Sequence, residues 1–265
     1  MRKFLVYRTD AIPEMKDAAI SDYVLREFAT ADATSKQTSP GRFRDLDEIA
    51  QAIIAAHQLD SLHDIGVSTG VTSLDLYRTL TAAGIPFQLH ISDKFAVYGS
   101  SGRFPTRIID AQGTVTELYL CGILGRRDVS YKYPLTRLLH WLLADRPNHG
   151  VIRRFALFNH EVLGHIEKGL IQRIDYDVFL TRMPRAFSFV RCMNLLNLGY
   201  FPRERIETAL RNIIESLRDG GVLQIGRTHP DGTSHVTFYA KRGARLEPLQ
   251  EVGGGTELRE VIDHL

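Results

Sequence analysis

Between Ser61 and Ser73 the sequence reads SLHDIGVSTGVTS, which sets an acid, Asp64, two residues before Gly66 and four more residues before Gly70. Apolar Leu62 and Ile65 open the stretch, and SLDLYRTLTAAG follows with apolar residues at helical spacing. These residue types in this order predict a strand, a tight glycine turn and a helix start. Glycine allows the sharp bend and a close ligand approach with no Cβ in the way. The first turn of the helix then offers unpaired N–H groups to a polar ligand. The pattern points to a nucleotide-type cofactor, and the residues within the turn narrow the choice.

Three chemistries compete for that turn. A phosphate-cradling loop of the G-x-x-x-x-G-K-[ST] type needs a lysine after its second glycine, and none follows Gly70. A dinucleotide turn prefers G-x-G-x-x-G, whose middle glycine lets the pyrophosphate approach; Ser68 stands there instead. S-adenosylmethionine carries no phosphate and asks the turn only to admit its amino acid part and ribose, so a serine is tolerated. PFQLHISD reads as the next strand and ends in Asp93, 23 positions past Gly70. An acid at that strand end suits the two hydroxyls of a ribose, whether in S-adenosylmethionine or in NAD. Asn194 ends an apolar strand, where open α/β sheets place their ligands, and its amide suits the methionine part or a substrate. Asn197 is a secondary candidate, whereas Arg191 in the same strand is read as structural: a buried arginine needs a partner, and an acid would serve.

In D-I-G-V-S-T-G the chain resembles motif I of class I S-adenosylmethionine-dependent methyltransferases. A later segment, FVRCMNLLNLGYFPRERIETALRNIIESLRDGGVLQIG, resembles the chemotaxis receptor (CheR-like) methyltransferases of that superfamily. Cys192, Asn194, Tyr200, Phe201, Gly220 and Gly221 match the family pattern. Met193 replaces the family's arginine, and two extra residues precede Tyr200. The likeness covers residues 60–93 and 171–240. It implies S-adenosylmethionine as cofactor, with Asp64, Gly66, Ser68, Gly70, Asp93 and Asn194 at its site and Asp177 beside the adenine amino group, where Asp175 competes. No catalytic residue is assigned. Residues 1–59 and 94–150 resemble no part of the chemotaxis enzymes, so no acceptor is carried over.

The elements that must position these residues follow from periodicity. The expected fold is α/β: a Rossmann-like, mostly parallel sheet with a terminal antiparallel hairpin, an N-terminal helical leader (1–59) and a domain over 60–265. An insertion at 94–150 forms a β-hairpin plus helix cap that would choose the acceptor. Helices are expected over 18–29, 46–57, 71–83, 135–144 and 161–170. The clearest covers PRERIETALRNIIESLRDG, which starts at Pro202, buries Ile206, Leu210, Ile213, Ile214 and Leu217, and is closed by Gly220. IQRIDYDVFL and RAFSFVRCMNLL read as strands, GVLQIGRT and SHVTFYAKRG as the terminal hairpin, and TELREVIDHL as a last short helix.

Composition limits the function classes. The 265 residues carry 33 basic and 31 acidic side chains, so nothing calls for nucleic acid as partner. Two cysteines in no metal or redox spacing suit a reducing cytoplasm. No apolar run reaches the roughly 20 residues of a membrane span. His160, Glu161 and His165 imitate a zinc helix, but the second histidine falls one residue late, and no metal is expected. His160, His165, Tyr98 and Tyr131 are the candidate bases. The expected partner is a small-molecule or protein methyl acceptor, with oligomeric state open. A nicotinamide-dependent oxidoreductase and a non-catalytic scaffold of the same fold are the rival readings.

Overall fold

The computed structural model describes residues 38–94, 96–101, 106–110, 113, 115–120, 123–126, 142, 152–229 and 231–265. The chain divides into two compact units, one built from Ser39–Lys94 with Gly164–Leu265 and the other containing Phe95–Leu163.

The first unit is a seven-stranded sheet. Helix α1 (Arg44–Ala56) leads into β1 (Ser61–Ile65), α2 (Val71–Ala82) and β2 (Gln88–Ser92). The second unit follows with β3 (Val97–Ser101), β4 (Thr106–Ile109), β5 (Val115–Leu120), β6 (Ile123–Arg126) and β7 (Arg153–Ala156). Then come α3 (His160–Glu167), β8 (Ile171–Arg173), β9 (Phe187–Met193), α4 (Arg203–Ser216), β10 (Leu217–Thr228), β11 (Ser234–Arg242), β12 (Arg245–Val252) and α5 (Arg259–Asp263). The order across the first sheet is β12-β11-β10-β9-β1-β2-β8. β8, β2, β1, β9 and β10 run parallel, and β11 and β12 are antiparallel additions. This is the expected Rossmann-like α/β fold. The order reverses between β1 and β9, which makes their C-terminal ends the topological switch point where such sheets bind ligands.

β9 is buried at all seven positions, as a central strand covered by helices on both faces must be. One face packs on α4 and α5 through Val190, Cys192, Ile206, Leu210, Ile213, Leu223, Ile225 and Val261. On α1 the buried positions are Leu46, Asp47, Ala50 and Ile54, so an acid stands on its apolar stripe. The acid has a partner, described below.

Three expectations change. The helix after Pro202 is not closed by Gly220: it stops at Ser216, and Leu217 is already extended and paired with Phe187 as the start of β10. Gly220, at φ +76°, and Gly221 instead lie where the pairing slips between Leu217 and Val222. A Cβ on Gly221 would come within 2.9 Å of the Ser188 carbonyl, so glycine is needed for strand approach there. IQRIDYDVFL is a strand only at Ile171–Arg173; its remainder turns. The terminal hairpin gains a third strand, β12, mostly exposed, with Pro248 beside a shift in its pairing to β11. An edge strand tolerates a proline because one of its sides makes no ladder bonds. Helix α1 lies in the first unit.

The second unit is a five-stranded antiparallel sheet of order β6-β5-β4-β3-β7. It contains the expected hairpin, β4 with β5, and adds three strands to it. Tyr98 and Phe155 stack within it with centroids 6.2 Å apart. The expected helices at 18–29 and 135–144, apart from Leu142 in the second, lie outside the described residues, as does Tyr131.

Candidate functional site

The glycine turn leaves β1 at its C-terminal end and enters α2 within five residues. Gly66, Ser68 and Gly70 all adopt positive φ, at +73°, +57° and +78°. Glycine takes this region freely, whereas Ser68 adopts it at a cost that the surrounding bonds must offset. Those bonds are present. The Ser92 carbonyl accepts from the Gly66 and Val67 amides at 2.8 and 3.2 Å, and Asp93 Oδ2 accepts from the Ser68 amide at 2.7 Å. The Val67 carbonyl accepts from the Gly70 amide at 2.9 Å. The end of β2 therefore holds the turn through backbone and side chain together. Gly70 is the N-cap of α2 in the left-handed conformation, and no side chain caps that helix. Its first N–H groups have no partner within the helix. A Cβ on Gly66 would meet the Leu195 side chain at 3.1 Å, so the turn from β1 runs tightly against the turn from β9.

Asp64 is not presented to this turn. It is buried in β1, where its Oδ2 accepts from Arg191 Nη2 and, at 2.6 Å, from Ser73 Oγ. Arg191 is 1% exposed, and its Nη1 donates to Asp47 Oδ1 at 2.7 Å. One guanidinium thus lies between two buried carboxylates. Burial outweighs the attraction of Arg191 and pushes the Asp47 carboxyl up to about 7, with Asp64 and Asp75 adding to the rise. Asp64 and Asp47 together hold the Arg191 guanidinium protonated against the pull of burial. The apolar surroundings of Arg191 in FSFVRCM, and an acid on the buried stripe of α1, were the signals for this cluster; neither alone identifies the other.

Beneath the end of β2, His63 Nε2 and Ser92 Oγ are bonded at 2.8 Å, and the His63 ring contacts those of Tyr176 and Phe187. Burial, with His90 nearby, lowers its pKa to about 3, so the imidazole is neutral.

Asn194 follows β9 and takes φ +56°. Its Oδ1 accepts from the Thr228 amide at 2.8 Å, and its own amide donates to the Gly226 carbonyl at 2.9 Å. It is exposed, and it ties the end of β9 to the end of β10. Asn197 Oδ1 accepts from the Gly199 amide at 2.6 Å and shapes the next turn. Asp177 follows β8 and is engaged at both oxygens: Oδ2 pairs with Lys94 Nζ at 3.1 Å and Oδ1 accepts from the Phe179 amide at 2.9 Å. Asp175 is exposed and bonded to Arg173. The structure therefore brings Gly66, Ser68, Gly70 and Asp93 together in one turn, ties Asn194 to the end of β10, and turns Asp64 inward.

Of the candidate bases, Tyr98 is buried in the antiparallel sheet and His165 packs its ring on Tyr77. Burial raises the Cys192 thiol to about 12. Among the described residues no group of three or more His, Cys, Asp or Glu side chains could hold a metal ion, and no helix is long and apolar enough to cross a membrane.

The fold and site define the class: a Rossmann-like α/β protein with its glycine turn at the switch point. No protein-family model matches the chain, and no curated protein sequence matches it. Among solved structures it is similar to the S-adenosylmethionine-dependent methyltransferase SibL, at 13% identity and TM-score 0.36, over 72% of this chain and 38% of that one. It is also similar to the PH0226 protein of Pyrococcus horikoshii OT3, at 9% identity and TM-score 0.40, over 92% of this chain and 88% of that one. A third likeness is to CalS10, an amino pentose methyltransferase from Micromonospora echinaspora, at 12% identity and TM-score 0.36, over 94% of this chain and 86% of that one.

Proposed function

We propose that the protein transfers a methyl group from S-adenosylmethionine, as a class I methyltransferase nearest in its C-terminal half to the CheR-like enzymes. The observation that carries this reading is the turn itself. Gly66, Ser68 and Gly70 bend the backbone at the switch point into an uncapped helix start, and Asp93 is bonded to the middle of that bend. The donors on offer are backbone amides, and Ser68 stands where a pyrophosphate would need glycine. Gly66 admits the ligand beside Leu195, partly exposed Asp93 accepts the ribose hydroxyls, and Asn194 faces the methionine end. Asp177 stands by the adenine, its carboxylate oriented by Lys94.

Bound there, the cofactor supplies a methyl group on an electrophilic sulfonium. The chain aligns the acceptor with that methyl and keeps water away. An anionic acceptor such as a carboxylate needs no base, and an amine or hydroxyl calls for one. The residues at 94–150 are proposed to select the acceptor, a small molecule or a protein group.

Thermal unfolding with S-adenosylhomocysteine and with NAD tests the assignment, because only a true ligand stabilises the native state. A shift with S-adenosylhomocysteine alone is expected, and Asp93→Ala should weaken that binding at least tenfold, about 1.4 kcal/mol. A shift with NAD alone would make the protein an oxidoreductase. No shift with either would make it a scaffold of this fold.

A further inference from the structure

The buried cluster behind the turn has a geometry that stability does not explain. Arg191 Nη2 donates to Asp64 Oδ2, two residues before Gly66, and at 3.0 Å to the Thr72 carbonyl, two residues after Gly70. A single guanidinium group therefore grips both ends of the glycine turn. Its second terminal nitrogen, Nη1, is held by Asp47 from α1. Ser73 Oγ adds a second strap between α2 and Asp64. Asp64, Arg191 and Gln224 stand side by side on three adjacent parallel strands.

Such a cluster is a costly way to fill a core, since buried ion pairs are often replaced by apolar residues without loss of stability. The cost is visible here: Arg191 Nε and both amide atoms of Gln224 are buried without a hydrogen-bond partner. What an apolar core lacks is a planar fork that fixes the distance between two points of backbone.

We infer that Arg191 and Asp47 are positioning residues for cofactor binding: the guanidinium sets the span of the Gly66–Gly70 turn, and Asp47 fixes the guanidinium. This rests on the assignment of that turn to S-adenosylmethionine. Neither residue touches the ligand; both act through the backbone on either side of it. A buried carboxylate on α1 thereby tunes affinity at the C-terminal ends of β1 and β2.

The test is S-adenosylhomocysteine affinity of the full chain by calorimetry, well below the unfolding midpoint, so that a loss of stability alone leaves the dissociation constant unchanged. Asp47→Leu keeps the Arg191–Asp64 pair balanced and replaces an acid on an apolar stripe, so it is expected to fold. It should weaken binding about fivefold to tenfold, while Asp47→Asn, which still accepts from Nη1, should restore affinity to within twofold of the parent. Arg191→Lys keeps the charge but loses the fork, and should bind more weakly than Asp47→Leu. Amide hydrogen exchange of the ligand-free protein should quicken at residues 66–70 in both weakened variants. Unchanged affinity in Asp47→Leu and Arg191→Lys, with wild-type binding intact, would overturn the inference alone. Failure of the wild-type chain to bind S-adenosylhomocysteine would overturn the cofactor assignment and the inference with it.

Discussion

The C-terminal ends of β1 and β9 lie side by side at the switch point and are built in opposite ways. The β1 end is fixed from beneath. Asp64 is buried in a charged cluster, four of the five amides from Gly66 to Gly70 are bonded to Ser92, Asp93 or Val67, and α2 begins at once. The β9 end is fixed from the side by exposed Asn194, whose side chain accepts from Thr228 and whose backbone amide donates to Gly226. Eight residues then separate Asn194 from α4, and among them Leu198 is 47% and Tyr200 80% exposed. A site for an invariant ligand benefits from preorganised backbone, because the ordering cost is met on folding. A site for a selected ligand needs side chains that change easily between relatives. Under the proposed function, the contrast suits the preorganised β1 end to the invariant part of the cofactor and the β9 end to the methionine end beside the acceptor.

The hardest way to break that contrast is to remove the cation from the rigid end. Arg191→Leu leaves Asp47 and Asp64 buried and uncompensated, and should cost about 3–5 kcal/mol in urea unfolding. A loss below about 1 kcal/mol would show that the two acids relax to solvent and that the β1 end is not fixed by charge. Next in size is Gly66→Val. Its φ of +73° and the 3.1 Å approach to Leu195 make any side chain strained there, at about 1–2 kcal/mol for the backbone alone. Cofactor affinity should fall more than the thermal midpoint suggests, and Leu195→Ala should recover only the steric share.

A smaller effect is expected at the β9 end. Asn194→Ala loses the Thr228 bond and puts a Cβ without a polar group at φ +56°. Asn194→Gly loses the bond alone and should be the more stable of the two by about 1 kcal/mol. If the cofactor affinity of both falls as far as that of Gly66→Val, the division between the two ends is wrong.

The smallest signal is a pH slope. Asp47 is raised from 3.8 to about 7 in the folded state, so its contribution is complete below pH 4 and lost as pH rises through 7. His63 is lowered from 6.5 to about 3, so its contribution is complete above pH 6.5 and lost on acidification. The two slopes oppose one another across pH 4 to 6.5. Asp47→Asn removes one of them, and its unfolding free energy should fall more steeply than that of the parent between pH 7 and pH 5. Parallel curves would mean that Asp47 does not titrate in that window.

The first turn and its flanking elements were legible because their determinants are local. Strand β1 and helix α2 begin where the pattern places them, and Gly66 and Gly70 take the positive φ that glycine invites. The end of α4 was misread because Gly220 signals a helix stop, whereas the chain had already become a strand at Leu217 under the pull of pairing with Phe187. β12 was missed because an edge strand buries little, so RLEPLQEV carries neither alternation nor an apolar run.

By itself, then, the sequence determined where the backbone bends and which stripes are apolar, since hydrogen-bonding geometry and periodicity act over a few residues. Only the tertiary structure decided which residues Asp64 bonds. Arg191 lies 127 positions from Asp64 and 144 from Asp47. A buried charge fixes that it must have a partner, but the order of strands in the sheet fixes which one.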